Sequence, residues 1–428
     1  MQCAAMPPYA GLDQLYHVAR LSFVRAQHRN PTITEPSIPQ YLASIPRWPD
    51  SRVIVDRRVD SQYVSPNYEA QQPSLYYSVV APLVPGRSAM FELRAWRMLS
   101  VFFALIIVLA TASIDWRAAL LIVSLPTWET LVARASNDAF ACAIVTIGIA
   151  ASMHRKTVVE AIAWPLAIAA KLYTWPMLIV LPVLWRSQRA GWRRMVFVSV
   201  ACAIALSLTI VDLSHRTRNP LGLFAFDPGG VHLKSLRIGD MVKIWIATLA
   251  WTSGPHLDAL KPLAIVIYLL PFAIAVARSR GPAVAWWAIG AFAFAQVINA
   301  AAYARNAPNG LPAGGKEGWY WYALAPIVVP FFLSRFRAIT WWIVGWDVLI
   351  TDVALFHDYS GASSPAHPTA LFRWGPWHWP FTAHLAGIGV GPFVAAIVVL
   401  RLIHLAAFFA LQSLATDDRS HNLPLPSS

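Results

Sequence analysis

Apolar residues in this chain do not alternate with polar ones. They run in long blocks separated by short polar breaks, from about residue 98 to residue 411. A bilayer-crossing helix needs roughly 20 mostly apolar residues and pairs its own backbone polar groups, which blocks of this kind allow. The pattern predicts membrane segments over 98–113, 117–133, 137–153, 157–185, 195–213, 262–277, 283–301, 322–334, 338–356 and 383–411. Ahead of them, residues 1–97 mix polar residues with breakers. That region holds one short apolar stretch, Leu75 to Val84, broken by Pro82 and Pro85 and too short to cross. The stretch Val18 to Ala26 is expected to be helical. Residues 412–428 are polar and proline-tipped, and read as a disordered cytoplasmic tail. The expected fold class is an all-α polytopic integral membrane protein. Residues 1–97 form a large external loop with short interfacial helices, and 98–411 form the multi-span domain.

The segment 157–185 carries Trp164-Pro165, Lys171 and Trp175-Pro176. It reads either as two half-helices that enter and leave on one side or as a single bent span. Basic loops favour the cytoplasmic side, which places His154-Arg155-Lys156, Arg186 to Arg194, Arg278-Ser279-Arg280 and Arg335-Phe336-Arg337 there. The assignment closes if 157–185 is re-entrant and the weak run Met241 to Trp251 lies flat on the outer face. The same parity puts residues 1–97 outside. Met1 to Gly11 has neither the basic leader nor the apolar core of a signal peptide. A helix upstream of Met1 is therefore expected.

Composition narrows the class. Of 428 residues, 57% are hydrophobic and 13% charged, which a water-soluble domain would not use in this arrangement. The net charge of +13 sits largely in short loops between apolar blocks. That is an orientation signal and an attraction to anionic membrane lipid, not a nucleic-acid footprint. Cys3, Cys142 and Cys202 are scattered and form neither a metal cluster nor a disulfide framework.

Polar groups gather in four places on the inferred outer face. Leu12-Asp13-Gln14-Leu15-Tyr16-His17 puts Asp13 and His17 four apart, on one helical face; Asp13 also suits a helix cap. Glu69-Ala70-Gln71-Gln72-Pro73 is either a site loop or a turn before an interfacial helix. Arg134-Ala135-Ser136-Asn137-Asp138 also reads as a helix start. Pro308 to Tyr322 holds Lys316, Glu317 and the run Trp319-Tyr320-Trp321-Tyr322; its glycines lack the spacing of a phosphate loop. Lys171, between Ala169-Ala170 and Leu172-Tyr173, is expensive in a membrane unless it reaches water, an anion or a carboxylate. At the tip of a hairpin it could meet a lipid phosphate, or simply snorkel. His378 and His384 fall on the outer side, beside Trp377 and Trp379, where interfacial packing competes with a site role.

Two of these elements resemble the polytopic GT-C superfamily of glycosyltransferases, near the aminoarabinose and protein-mannosyl transferases and the rhizobial lipopolysaccharide sugar transferases. The early element is Leu12-Asp13-Gln14-Leu15-Tyr16-His17. The late one is Glu69-Ala70-Gln71-Gln72-Pro73-Ser74-Leu75-Tyr76-Tyr77. Ser136-Asn137-Asp138-Ala139 and Gly318-Trp319-Tyr320 are similar to further elements of related membrane proteins. The likeness is specific over residues 7–77 and architectural beyond. Gln14 stands where a second acid is usual, Ser74 where a proline is usual, and no Arg stands in the late aromatic element.

The resemblance implies a GT-C-like enzyme of the bacterial cytoplasmic (inner) membrane that transfers a sugar, with inversion, from a polyprenyl-phosphate donor. The acceptor would be an envelope glycan, lipid or protein. It implies catalytic roles for Asp13, as general base or orienting carboxylate, for Glu69, shaping the sugar and acceptor site, and for Lys171, on the lipid phosphate. His17, Gln72, Tyr76, Asn137, Asp138, Arg305, Lys316 and Tyr320 would bind donor and acceptor. No definite cofactor follows from it; a divalent metal is an open expectation, with Asp13 and Asp138 as candidate ligands. Two other classes compete. A lipid-linked-glycan flippase or transporter would use Lys171 and the kinked helices, although no internal repeat is visible. A non-catalytic envelope scaffold would tolerate loss of Asp13 and Glu69.

Overall fold

The computed structural model describes residues 14–33, 35, 68–87, 89–124, 128–217, 283–306, 322–330, 337–346 and 398–407, with a few isolated positions besides. Every regular element among them is helical. In chain order these are α1 (Gln14–Gln27), a 3₁₀ turn (Tyr68–Gln71), α2 (Leu75–Val80) running into a 3₁₀ turn (Ala81–Leu83), and α3 (Ala89–Ile114). Next come α4 (Trp116–Ile122), α5 (Trp128–Ala133), α6 (Asn137–Met153), α7 (Thr157–Ala170) and a 3₁₀ turn (Leu172–Thr174). The remainder are α8 (Met177–Ser187), α9 (Trp192–Thr217), α10 (Ala283–Asn306), α11 (Ala325–Val328) and α12 (Arg337–Trp346).

Among the described residues two helices are long and apolar enough to cross a membrane: Phe91–Ile114 within α3, of 24 residues, and α9, of 26. At 1.5 Å per residue each exceeds the roughly 30 Å of a bilayer's hydrocarbon core. Both carry an outward apolar ridge. On α3 it is Met98, Phe102, Leu105 and Leu109, each more than half exposed; on α9 it is Phe197, Val200, Ile204 and Leu208. In water such ridges would be a liability, whereas hydrocarbon covers them without cost.

α6 is the centre of the fold. It is buried along nearly its whole length and packs against α3 on one side and α7 on the other. Its sequence explains this. Ala139, Ala141, Cys142, Ala143, Gly148, Ala150 and Ala151 are small, so neighbouring backbones can approach. Gly148 marks the tightest point, where a Cβ would lie 3.0–3.3 Å from the Trp164 ring of α7. α7 then packs on α9, and α8 on α10. At one end α1 lies on α2, which rests on α6 and α7.

Two segments depart from the predicted spans, and a third takes one of the two forms expected of it. The expected span 117–133 is two short helices, α4 and α5, with Pro126 in the sequence between them. Proline lacks the N–H and clashes with the preceding turn, so a single helix through it is disfavoured. α3 starts well before residue 98, because Glu92 and Arg97 are accommodated by partners rather than left in lipid: Arg25 pairs with Glu92 at 2.7 Å and Gln14 takes Arg97 at 3.0 Å. The segment 157–185 doubles back at Lys171. The start of α7 and the end of α8 meet through Glu160, which accepts the Trp185 indole N–H at 2.6 Å. Nearly all of the run Met241 to Trp251 and of the 262–277 span lies outside the described residues, as do His378, His384 and the tail from 412.

Gly148→Leu should overpack the α6–α7 contact at a cost of about 1–3 kcal/mol. We expect the Tm of the detergent-solubilised protein to fall by several degrees. A Tm equal to wild type would mean that the two helices do not meet at Trp164.

Candidate active site

Polar groups concentrate where α6 begins and α7 ends. Ser136 has extended backbone and caps α6, its hydroxyl accepting the Asp138 N–H at 3.4 Å. The cap places Asn137 and Asp138 on the first turn, both buried. Opposite them α7 stops as Lys171 turns extended, with φ −162° and ψ 145°. The carbonyls this break opens are met by side chains. Thr174 shares its hydroxyl proton between the Ala167 and Lys171 carbonyls, 2.7 Å from each, and the Trp175 indole donates to Ile168 at 3.0 Å. The break is thus a built feature that aims Lys171 back at α6.

The Lys171 ammonium donates to Asn137 Oδ1 at 2.7 Å and to Asp138 Oδ1. Arg134, one turn before Asp138, donates to its other oxygen at 2.6 Å. Both cations are buried, Arg134 completely. Tyr173 donates to the Asp138 carbonyl at 3.2 Å and lies 3.3 Å from Cys142 Sγ. Among the described residues one carboxylate is shared by two cations. Arg97 adds another cation nearby, held through Gln14, whose Oε1 accepts from both Arg97 Nε at 3.0 Å and the Ala135 N–H at 3.2 Å. Two buried amide donors complete the cluster: Gln14 Nε2 and Asn137 Nδ2 have no hydrogen-bond partner among the described residues. A buried donor left so costs about 1–3 kcal/mol, which an oxygen-rich ligand would recover.

His17 stands beside this cluster. Its Nδ1 is 2.6 Å from the Tyr77 hydroxyl, and the two rings stack with centroids 6.0 Å apart. Burial, first, and then the charge of Lys171 push its pKa well below 6.5, so the imidazole is neutral at physiological pH. Tyr76 is buried edge-on to Tyr77 and tilted against Phe140 of α6, so the Tyr76-Tyr77 run is a packed wall rather than a lipid-facing belt.

The Glu69–Gln72 loop is held by its backbone. Arg20 of α1 donates to the Gln72 carbonyl at 3.0 Å, to Asn30 at 2.8 and 3.2 Å, and lies 3.8 Å over the Tyr77 ring. Arg216, at the end of α9, donates to the carbonyls of Ala70 and, at 3.0 Å, Gln72; Asp212 one turn earlier fixes its guanidinium at 2.7 and 2.9 Å. The Gln72 side chain is half-buried, with Oε1 lacking a partner among the described residues.

The structure therefore brings Lys171, Asn137, Asp138 and His17 together, with Gln72 and Tyr76 in the adjoining loop and helix. Asp13, immediately before Gln14 in sequence, lies outside the described residues, as do Lys316, Tyr320 and the side chains of Glu69 and Arg305. Arg20, Arg97 and Arg216 are essential to the arrangement and were not singled out by sequence reasoning. Only Arg216 left a signal, its i,i+4 spacing from Asp212. Among the described residues no group of His, Cys, Asp or Glu side chains could hold a metal ion. Asp138 offers a metal no oxygen that Lys171 or Arg134 does not already contact.

Because the folded-state pKa of His17 lies below 6.5, it contributes stability fully above that value. As pH falls through 6.5 the unfolded chain takes up a proton that the folded chain refuses, and the contribution is lost. The Tm should therefore drop between pH 7.5 and pH 5.5, and His17→Gln should flatten part of that drop. An unchanged pH dependence in the variant would show that His17 is not held neutral.

No family model matches the chain, and no curated protein matches it. Among solved structures it is similar to ArnT from Cupriavidus metallidurans, determined bound to undecaprenyl phosphate. The identity is 15%, over 96% of this chain and 70% of that one, with a TM-score of 0.49. A likeness at that level carries no function across.

Proposed function

We propose that this chain transfers a sugar from a polyprenyl-phosphate donor to an envelope glycan, lipid or protein acceptor, at the outer face of the bacterial cytoplasmic membrane. The observation that supports this most is the buried cluster of Lys171, Arg134 and Asp138 with the two amide donors of Gln14 and Asn137. Among the described residues it sets two cations against one carboxylate, and the Gln14 and Asn137 amides add unpartnered N–H donors. That suits an anionic, oxygen-rich group such as a phosphate bearing a sugar.

In the reaction, the acceptor O–H gives its proton to a base while its oxygen attacks the anomeric carbon. The bond from that carbon to the phosphate oxygen breaks, and the lipid phosphate leaves with the electron pair. Charge grows on the leaving phosphate, which is where preorganised cations and amide N–H groups contribute most. Asp138 is in this scheme a positioning group: it holds Lys171 and Arg134 in place and keeps two buried cations tolerable. The base is assigned to Asp13, next to Gln14 in sequence, with Glu69 on the facing loop. Neutral His17 lines the same cluster as a hydrogen-bonding group for the sugar. The apolar flanks of the bundle would take the prenyl chain, each buried CH₂ contributing about 0.8 kcal/mol.

A flippase or transporter for the same lipid-linked donor is the alternative, favoured by the broken hairpin at Lys171. It predicts donor movement between leaflets with no new glycosidic product.

The test is turnover by the purified protein of polyprenyl-phosphate sugars in an envelope lipid extract, read by mass spectrometry. A new glycosylated acceptor is expected. Asn137→Ala, which removes one amide donor and one Lys171 contact, should lower kcat by about 10²–10³-fold with a Tm within a few degrees of wild type. Asp13→Asn should abolish turnover without unfolding. Full turnover in either variant would overturn the role given to that residue.

A further inference from the structure

At the end of α6 and α7 opposite Lys171, the two turns that the sequence marks as basic come together around one cavity. It has a volume of about 650 Å³ and is lined by Arg155 from the α6–α7 turn, by Gln188, Arg189 and Gly191 from the α8–α9 turn, and by Arg193 and Arg194 from the first turn of α9. Its inner wall is fixed by a buried ion pair. Glu160 of α7, wholly buried, accepts Arg194 Nε at 2.6 Å, the Ser152 hydroxyl at 2.7 Å and the Trp185 indole at 2.6 Å. Arg194 reaches on to the Ser152 carbonyl at 3.0 Å. That pair neutralises Arg194 and leaves Arg155, Arg189 and Arg193, all exposed, with no carboxylate salt bridge among the described residues.

The backbone of both turns sharpens the point. Arg155 and Arg189 have φ of 57° and 50°, in the left-handed region. Each sits just past the end of its helix. In each turn the following N–H returns to a helical carbonyl: Lys156 to Ala151 at 2.8 Å, and Ala190 to Trp185 at 2.9 Å. This is a helix-ending turn in which glycine is the residue of least strain. Arginine occupies that position twice, at the two points that flank one cavity.

The surroundings identify the anion. Phe197 lines the cavity and is more than half exposed, and it begins the outward ridge that continues through Val200, Ile204 and Leu208 of α9. On α7, which packs against α9, a second ridge of Val158, Ile162 and Leu166 starts from the same end. Trp192, two-thirds exposed, stands at that end too, where membrane-interface aromatics collect. A group that places phosphate oxygens among three arginines and hydrocarbon along an adjacent apolar ridge is an anionic phospholipid. We propose that this cavity is a specific headgroup site for an anionic phospholipid of the bilayer, distinct from the Lys171–Asp138 cluster at the other end of the helices.

The left-handed turns supply a variant that separates binding from folding. Arg155→Gly with Arg189→Gly relieves strain at both positions, so the fold should be as stable as wild type or more so; Arg193→Gln completes the removal of charge. Thermal unfolding of the full-length protein in mild detergent would be followed while titrating phosphatidylglycerol, phosphatidylcholine or inorganic phosphate. Phosphatidylglycerol should raise the wild-type Tm by several degrees, and phosphatidylcholine and inorganic phosphate should not. In the triple variant the starting Tm should be unchanged or higher, and half-saturation should need about a hundredfold more phosphatidylglycerol. An equal phosphatidylglycerol response in the variant, or equal stabilisation of wild type by phosphatidylcholine, would overturn the proposal. Stabilisation by inorganic phosphate alone would overturn its lipid part and leave a phosphate site.

Discussion

Asp138 is a carboxylate buried at the start of the most buried helix of the molecule, and it is there only because Lys171 and Arg134 both bind it. Removing one member of a buried ion pair typically costs about 3–5 kcal/mol, because the other charge is left without a partner. The geometry of the hairpin follows from this. α7 must end at Lys171, the chain must turn extended there, and Thr174 and Trp175 must satisfy the carbonyls that the break exposes. The same requirement sets the register of α6 against α7, and Gly148 against Trp164 lets the two helices come close enough to meet it. The two ends of the hairpin then have distinct characters. One gathers a buried ion cluster with spare amide donors, the other an open basic cavity built on Glu160 and Arg194.

The polar first loop gains its structure from the bundle rather than from itself. Two arginines from distant parts of the chain hold the Ala70 and Gln72 carbonyls of its 3₁₀ turn region. This clamp places Tyr76 against Phe140 of α6 and Tyr77 against His17, which stands next to the Lys171 cluster. Charge at this end is therefore structural and chemical at once. Arg20 and Arg216 shape the loop, while Lys171, Arg134 and Arg97 set the field that a bound anion would meet.

Much of this was legible in the sequence, for identifiable reasons. The apolar blocks announced helices, and α3, α6, α9 and α10 appear where the blocks lie, because a run of apolar residues has no other way to pair its backbone in hydrocarbon. Lys171 stood out because a lysine among alanines needs a partner, and Ser136-Asn137-Asp138 because it reads as a helix start. That these two are each other's partners was not legible. Nothing in a sequence fixes which of several carboxylates a lysine will reach across 33 positions. Arg20 and Arg97 were opaque for the same reason, since their contacts are to backbone carbonyls and an amide far away in the chain. The split between α4 and α5 is signalled by Pro126 in the sequence between them, a signal that the apolar residues around it mask. Asp13, Lys316 and Tyr320 lie outside the described residues, so their part in the site stays with the proposal.

The most direct test is where a lipid phosphate binds. An electron cryomicroscopy structure of the full-length protein with polyprenyl phosphate, in nanodiscs of phosphatidylcholine, would locate it. The account predicts the phosphate within hydrogen-bond distance of Lys171 and of the Gln14 and Asn137 amides, with its prenyl chain on the apolar flank of the bundle. A phosphate bound only in the Arg155–Arg189–Arg193 cavity, with the Lys171–Asp138 cluster untouched, would contradict it.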